Sequence, residues 1–269
     1  MILIIGDSHC QYPSINDQID HAEQQTGSKI TSVIQLGDFG IYQKELQKYF
    51  NGTKEQCFKR PLYFIDGNHE DFWHFDTLIK KYTKYFTHLP RASVNKIDGY
   101  RFLCLGGSAY MDPINTPPGA VITGENIEKC LYHNSQDIDI IISHDCPEGI
   151  GVPGTIGFEY CGEPGFPRSR EVLDKIKPKL WIFAHHHKWY VAKEQNTQFF
   201  GLDVAYNGCA VLDDNFNVTI LKHSVNENLG LTQRFHGKED HLWPVSRRNK
   251  WKIKILKLLI KIKLLLKKS

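Results

Sequence analysis

Five short apolar runs, each followed at once by an acidic, amide or imidazole residue, constrain the fold of this chain more than any other feature. They are Met1 to Gly6 (MILIIG), Ser32 to Gly37 (SVIQLG), Pro61 to Gly67 (PLYFIDG), Ile138 to Ser143 (IDIIIS) and Leu180 to Ala184 (LWIFA). Continuous apolar runs of this length mark strands covered on both faces, and Met1 to Gly6 is expected to be a central parallel strand. Between them lie segments of helical character, at Ser14 to Gln25, Tyr42 to Phe50, Phe72 to Lys80, Gly124 to Asn134 and Ser169 to Lys177. The alternation predicts layered α/β architecture, in which ligands bind beyond the carboxyl ends of the strands. Two more stretches, Ser93 to Gly106 and Phe199 to Leu221, have β character and predict an edge meander or a second sheet. Residues 110–124 and 146–168, rich in Gly and Pro, are long enough to be lids or binding loops, where specificity is expected to reside.

The polar residues fall where such a fold would place a site. Asp7 and His9 follow the first run at a spacing that puts both side chains on one side of an extended chain, so they can converge on one ion. Asp38 ends the second run, Asn68, His69 and Glu70 end the third, and His144 and Asp145 end the fourth. The fifth ends in His185-His186-His187, where alternation sends His185 and His187 one way and His186 the other. A Gly-Asp pair or a single histidine is usually a turn or core residue, and His186 keeps that reading. The joint order D-x-H, G-D, G-N-H-E, S-H-D and H-x-H, each at a strand end, does not fit that explanation. Imidazole with carboxylate suits borderline cations such as Mn, Fe, Ni and Zn. Arg168 and Arg170, ahead of a helix, can bind phosphate oxygens through the guanidinium fork.

Carried by these motifs, the sequence resembles the calcineurin-like metallophosphoesterase superfamily from Asp7 to His187. The resemblance implies a four-layer α/β/β/α sandwich with a dinuclear metal site at the strand ends. It implies that Asp7, His9, Asp38 and His187 hold one divalent ion and Asp38, Asn68, His144 and His185 the other, Asp38 bridging. Mn2+ is the expected metal, with Fe2+, Zn2+ or Ni2+ as alternatives. His69 would face the substrate as general acid, a metal-bridging hydroxide would attack the phosphorus, and Glu70 and Asp145 would orient neighbouring ligands. Ser143-His144-Asp145-Cys146-Pro147 and Ala184-His185-His186-His187 are similar to the S-H-D-W-P and A-H-L-H forms of RNA lariat debranching enzymes. Those enzymes usually carry Cys where Asp7 stands. Gly37-Asp38-Phe39-Gly40 lacks the arginine that follows in the protein serine/threonine phosphatase branch. The resulting expectation is a phosphodiesterase acting on a nucleotide or nucleic acid. The alternatives are a phosphomonoesterase or protein phosphatase, and a non-catalytic metal-binding scaffold recruited to membranes.

Charge is distributed unevenly. Ten of the 33 Lys and Arg lie in residues 247–269, which hold no acid, leaving 23 against 30 Asp and Glu in the remainder. Residues 1–223 are read as the metallophosphoesterase domain, 224–246 as a linker and 247–269 as a basic amphipathic tail. On a helix, Lys250, Lys254, Lys257, Lys261 and Lys268 share a stripe, which with Trp251 suits an anionic membrane surface over residues 250–268. Seven cysteines without regular spacing, and no basic-then-apolar leader, predict a cytoplasmic protein, peripheral at a membrane through its tail.

Overall fold

The computed structural model describes residues 1–51, 57–111, 115–155 and 161–225. Most of the linker and all of the basic tail, with its reading as a membrane contact, lie outside the described residues. No described helix is long and apolar enough to cross a membrane.

Two six-stranded sheets stack face to face. The first is built from β1 (Ile2–Ile5), β2 (Ser32–Leu36), β3 (Leu62–Ile65), β4 (Thr87–His88), β11 (Gly208–Leu212) and β12 (Val218–Lys222), in the order β12-β11-β1-β2-β3-β4. The second holds β5 (Ser93–Ile97), β6 (Tyr100–Leu105), β7 (Ile140–Ser143), β8 (Leu180–Phe183), β9 (Tyr190–Glu194) and β10 (Thr197–Gly201), in the order β5-β6-β7-β8-β10-β9. β1, β2 and β3 run parallel to one another, as do β6, β7 and β8. β1 is central but parallel on one side only, since β11 pairs with it antiparallel.

Strand alternation sorts the apolar residues into three layers of packing. Ile2, Ile4, Ile34, Leu36 and Ile65 point between the sheets, against Phe102, Cys104, Ile140, Ile142, Leu180 and Ile182. Leu3, Ile5, Val33 and Phe64 face outward and pack on α1 (Tyr12–Thr26), α2 (Gln43–Phe50) and α3 (Phe75–Lys81). On the far side, Leu103, Ile141, Trp181 and Phe183 are covered by α4 (Gly124–Tyr132) and α5 (Ser169–Ile176). This is the four-layer α/β/β/α arrangement, and it explains the unbroken apolar runs: each of these strands is buried on both faces.

Local chemistry sets the helix starts. α1 has Pro in its first turn, and Tyr12, Ile15, Ile19 and Ala22 recur at helical spacing on its buried side. α4 opens with a capping box, in which Thr123 and Asn126 bond each other's backbone N–H. The expectation that Phe199 to Leu221 forms one meander or sheet needs correction. After β10 the chain crosses between sheets, and the Ala205 N–H bonds the Asp7 carbonyl (2.8 Å) before β11 pairs with β1. β9 carries alternating exposed residues at a sheet edge, so it lacks the apolar run that marks its neighbours.

Candidate metal centre

The carboxyl ends of β1, β2 and β3 in one sheet and of β7 and β8 in the other meet at one edge of the sandwich. The His185 N–H bonds Asp7 Oδ1 (3.0 Å), joining β8 to β1, and His144 Nδ1 lies 2.8 Å from the Leu36 carbonyl, joining β7 to β2. Glycine permits the approach. A Cβ on Gly37, where φ is +92°, would sit 2.4 Å from His144 Nδ1, and one on Gly67 would sit 2.1 Å from Asp38 Oδ1.

Two groups of donor atoms result, Asp7 with His9 and His187, and Asp38 with His144 and His185, each within 4.8 Å. In the first, His187 Nε2 lies 2.8 Å from Asp7 Oδ2 and 3.1 Å from His9 Nε2. In the second, His144 Nε2 lies 3.4 Å from Asp38 Oδ1 and 2.9 Å from Asn68 Oδ1, which brings Asn68 to this group. Asp38 also lies 3.9 Å from His9, between the groups. Asp7, Asp38, Asn68 and His144 are essentially inaccessible to solvent.

Hydrogen bonding around the second group tests its fit to a cation. With Nδ1–H of His144 given to the Leu36 carbonyl, its Nε2 presents a lone pair. Asn68 donates its amide N–H to the Asn115 carbonyl (2.7 Å), which turns Oδ1 toward that same nitrogen. Acceptors therefore converge on one point, an arrangement that a positive centre, a proton or a metal ion, would relieve. The donor set fits a divalent ion.

Electrostatics agree. Burial pushes the Asp7 carboxyl up, but the imidazoles of His187, His144 and His9 outweigh it and hold it well below the usual range. Asp38 is likewise held down by His144 and His69 against burial. Burial depresses His185 to about 3 and His9 to about 4, leaving neutral ring nitrogens able to coordinate. His187, despite burial, is raised to about 9 by Asp7.

The other residues singled out from sequence fall around this centre or away from it. His69 donates its backbone N–H to Asp38 Oδ1 (2.7 Å), and its partly exposed ring stands edge-on to His9 with centroids 5.5 Å apart. Glu70 accepts the backbone N–H groups of Phe39, Gly40 and Ile41, so it fixes the loop that follows Asp38. Asp145 accepts from Ala109 N (2.8 Å), Cys146 N (2.7 Å) and the His186 ring (2.9 Å). The guanidiniums of Arg168 and Arg170 are taken by glutamates: Arg168 pairs with Glu171 and Glu128, and Arg170 with Glu194. Sequence reasoning missed Arg91, which pairs with buried Asp66 at the end of β3 and donates to the Gly119 and Val121 carbonyls. Arg91 and His88, against burial, hold the Asp66 carboxyl at about 2. No local pattern marks this pair, because its members stand far apart in a stretch without repeats.

Comparison with known proteins agrees with this geometry. The calcineurin-like phosphoesterase family matches residues 1–189. A lariat debranching enzyme of Entamoeba histolytica is 30% identical over 243 residues, covering 75% of this chain and 68% of its own length. Those of Schizosaccharomyces pombe and Arabidopsis thaliana are each 25% identical, and the chain spans 48% and 60% of them. A solved structure, of a putative 5'-nucleotidase from Staphylococcus aureus, shares the fold with a TM-score of 0.51 at 13% identity, covering 90% of this chain and 57% of that one. The chain belongs to the calcineurin-like phosphoesterase family. By family it is a metal-dependent phosphoester hydrolase.

Proposed function

We propose that this chain hydrolyses phosphodiesters in a nucleotide or nucleic acid. The observation that carries the reading is the pair of donor groups, Asp7–His9–His187 and Asp38–His144–His185, set side by side where two sheets meet. Asp7, His9, Asp38 and His187 hold one divalent ion, and Asp38, Asn68, His144 and His185 the second, with Mn2+ the expected metal and Fe2+, Zn2+ or Ni2+ the alternatives. When bound, such a pair supplies Lewis acidity to the phosphoryl oxygens and makes water a nucleophile near neutral pH.

The chain's own residues do the rest. Asp38 is held between the two groups by the His69 N–H. Glu70 keeps the Phe39–Ile41 backbone, and with it Asp38, in place. The His69 ring, partly exposed at the mouth, gives a proton to the departing oxygen. Arg168 and Arg170 join the substrate only on release from Glu128, Glu171 and Glu194. Branched RNA is the first natural substrate to screen, on the strength of the similarity to the debranching enzymes.

The test compares an aryl phosphodiester with an aryl phosphomonoester, using Mn-loaded protein and a His69→Ala variant. Diester turnover should fall about 10²- to 10⁴-fold in the variant while its metal content stays unchanged. A monoester preference would make the protein a phosphatase. No turnover of either substrate with metal bound would make it a scaffold.

A further inference from the structure

A third cluster of donors lies beside the centre, and none of its side chains is among the metal ligands assigned above. Cys146 Sγ is 3.3 Å from His186 Nε2, which is 2.9 Å from Asp145 Oδ1, and all three atoms lie within 4.8 Å of one another. Cys146 and Asp145 are buried, and the His186 side chain is 12% exposed. His186 reaches toward the end of β7 from between two left-handed residues, His185 (φ 66°) and His187 (φ 50°), with its ring edge-on to that of His185 at 4.8 Å between centroids. The Asp145 carboxylate is fixed in advance, since Oδ2 accepts the Ala109 N–H and Oδ1 the Cys146 N–H.

The two positions that meet here are the two at which these motifs differ from the debranching-enzyme forms. Cys146 stands where S-H-D-W-P has tryptophan, and His186 where A-H-L-H has leucine. The paired ends of β7 and β8 bring these two positions together, with Cys146 Sγ 3.3 Å from His186 Nε2. Together with Asp145 they bring one thiol, one imidazole and one carboxylate to one point. That set is characteristic of zinc, and a soft thiolate discriminates against Mn2+ and Mg2+.

We propose that Asp145 Oδ1, Cys146 Sγ and His186 Nε2 form a third, zinc-selective site. Binding releases the thiol proton of Cys146 to solvent and takes His186 as the tautomer with its proton on Nδ1, so that Nε2 presents a lone pair, and the ion ties the loop after β7 to the loop after β8. Those loops carry His144, His185 and His187, so the third ion braces the neighbouring centre without sharing its ligands.

The test is zinc X-ray absorption on the full chain loaded with excess Mn2+ and a single equivalent of Zn2+. The expected result is a sulfur scatterer at about 2.3 Å from zinc, lost in Cys146→Ser. His186→Leu, which restores the debranching-enzyme residue, should lose the tightly held zinc while the manganese content stays unchanged. Zinc surrounded only by nitrogen and oxygen in the unaltered chain, or retained equally by both variants, would overturn the proposal. That failure would leave diester turnover of the unaltered chain intact, whereas failure of the phosphodiesterase reading would leave turnover absent whatever zinc binds.

Discussion

Asp38 has a φ of 51°, His9 of 44°, His185 of 66° and His187 of 50°, so four of the proposed ligands sit in the left-handed region that L-residues avoid. Such strain persists only where the surroundings over-determine it, and here they do. Glu70 shows how. Burial, then the charge of Asp38, push its carboxyl up, and the N–H groups of Phe39 and Ile41, bonded to its two oxygens, pull the other way. In Glu70→Gln one oxygen is replaced by an amide N–H that cannot accept. A loss of about 1–3 kcal/mol in unfolding free energy is expected. Metal affinity should fall about 10- to 100-fold, read by competition with a chelating dye. The strand-end residues were legible because each follows an apolar run at once. The residues that hold them were less so: Arg91 meets Asp66 through tertiary packing alone, and the glutamate partners of Arg168 and Arg170 include Glu128 and Glu194, on other elements.

Among elements, the join between β7 and β8 bears most directly on the site. The buried indole of Trp181 donates to Ser143 Oγ (2.8 Å), and Ser143 Oγ donates to the Asp145 carbonyl (2.6 Å). Trp181→Phe keeps most of the packing and removes the donor, so a loss of about 0.5–1.5 kcal/mol is expected in denaturant unfolding. A larger loss would mean that indole volume, not the bond, secures the strand ends. A second join lies behind α1, where His21 stacks on His223 with centroids 3.7 Å apart. Burial, then His223, lower the pKa of His21, so the unfolded chain takes up its proton before the folded chain does. The contribution of His21 is therefore complete above the ordinary histidine range and fades as pH falls below about 6.5. Thermal stability measured between about pH 7 and pH 5 should decline less in His21→Gln than in the unaltered chain. Strand existence was readable wherever a strand is buried on both faces. The assignment of strands to sheets was not, because β10 and β11 differ in partner while sharing the same apolar character.

At the scale of the molecule, the donor groups span the seam between two sheets, each with its own parallel core. Asp7, Asp38 and Asn68 come from one sheet, and His144, His185 and His187 from the other. An ion held across that seam, as proposed, would stabilise the pairing of the sheets as well as the reaction. Chelation should therefore lower the melting temperature, since a ligand at about 100 times its Kd adds about 2.7 kcal/mol. The order of the motifs made the parallel strand ends legible, and the family resemblance they carry implied the two-sheet sandwich, but not which strands belong to which sheet.

The most direct measurement is a titration of chelator-stripped protein with Mn2+, following aryl phosphodiester hydrolysis against bound metal. Turnover that is absent without metal and rises steeply as the second ion binds is the predicted result. Full turnover in the stripped protein, or none with both ions bound, would contradict the account.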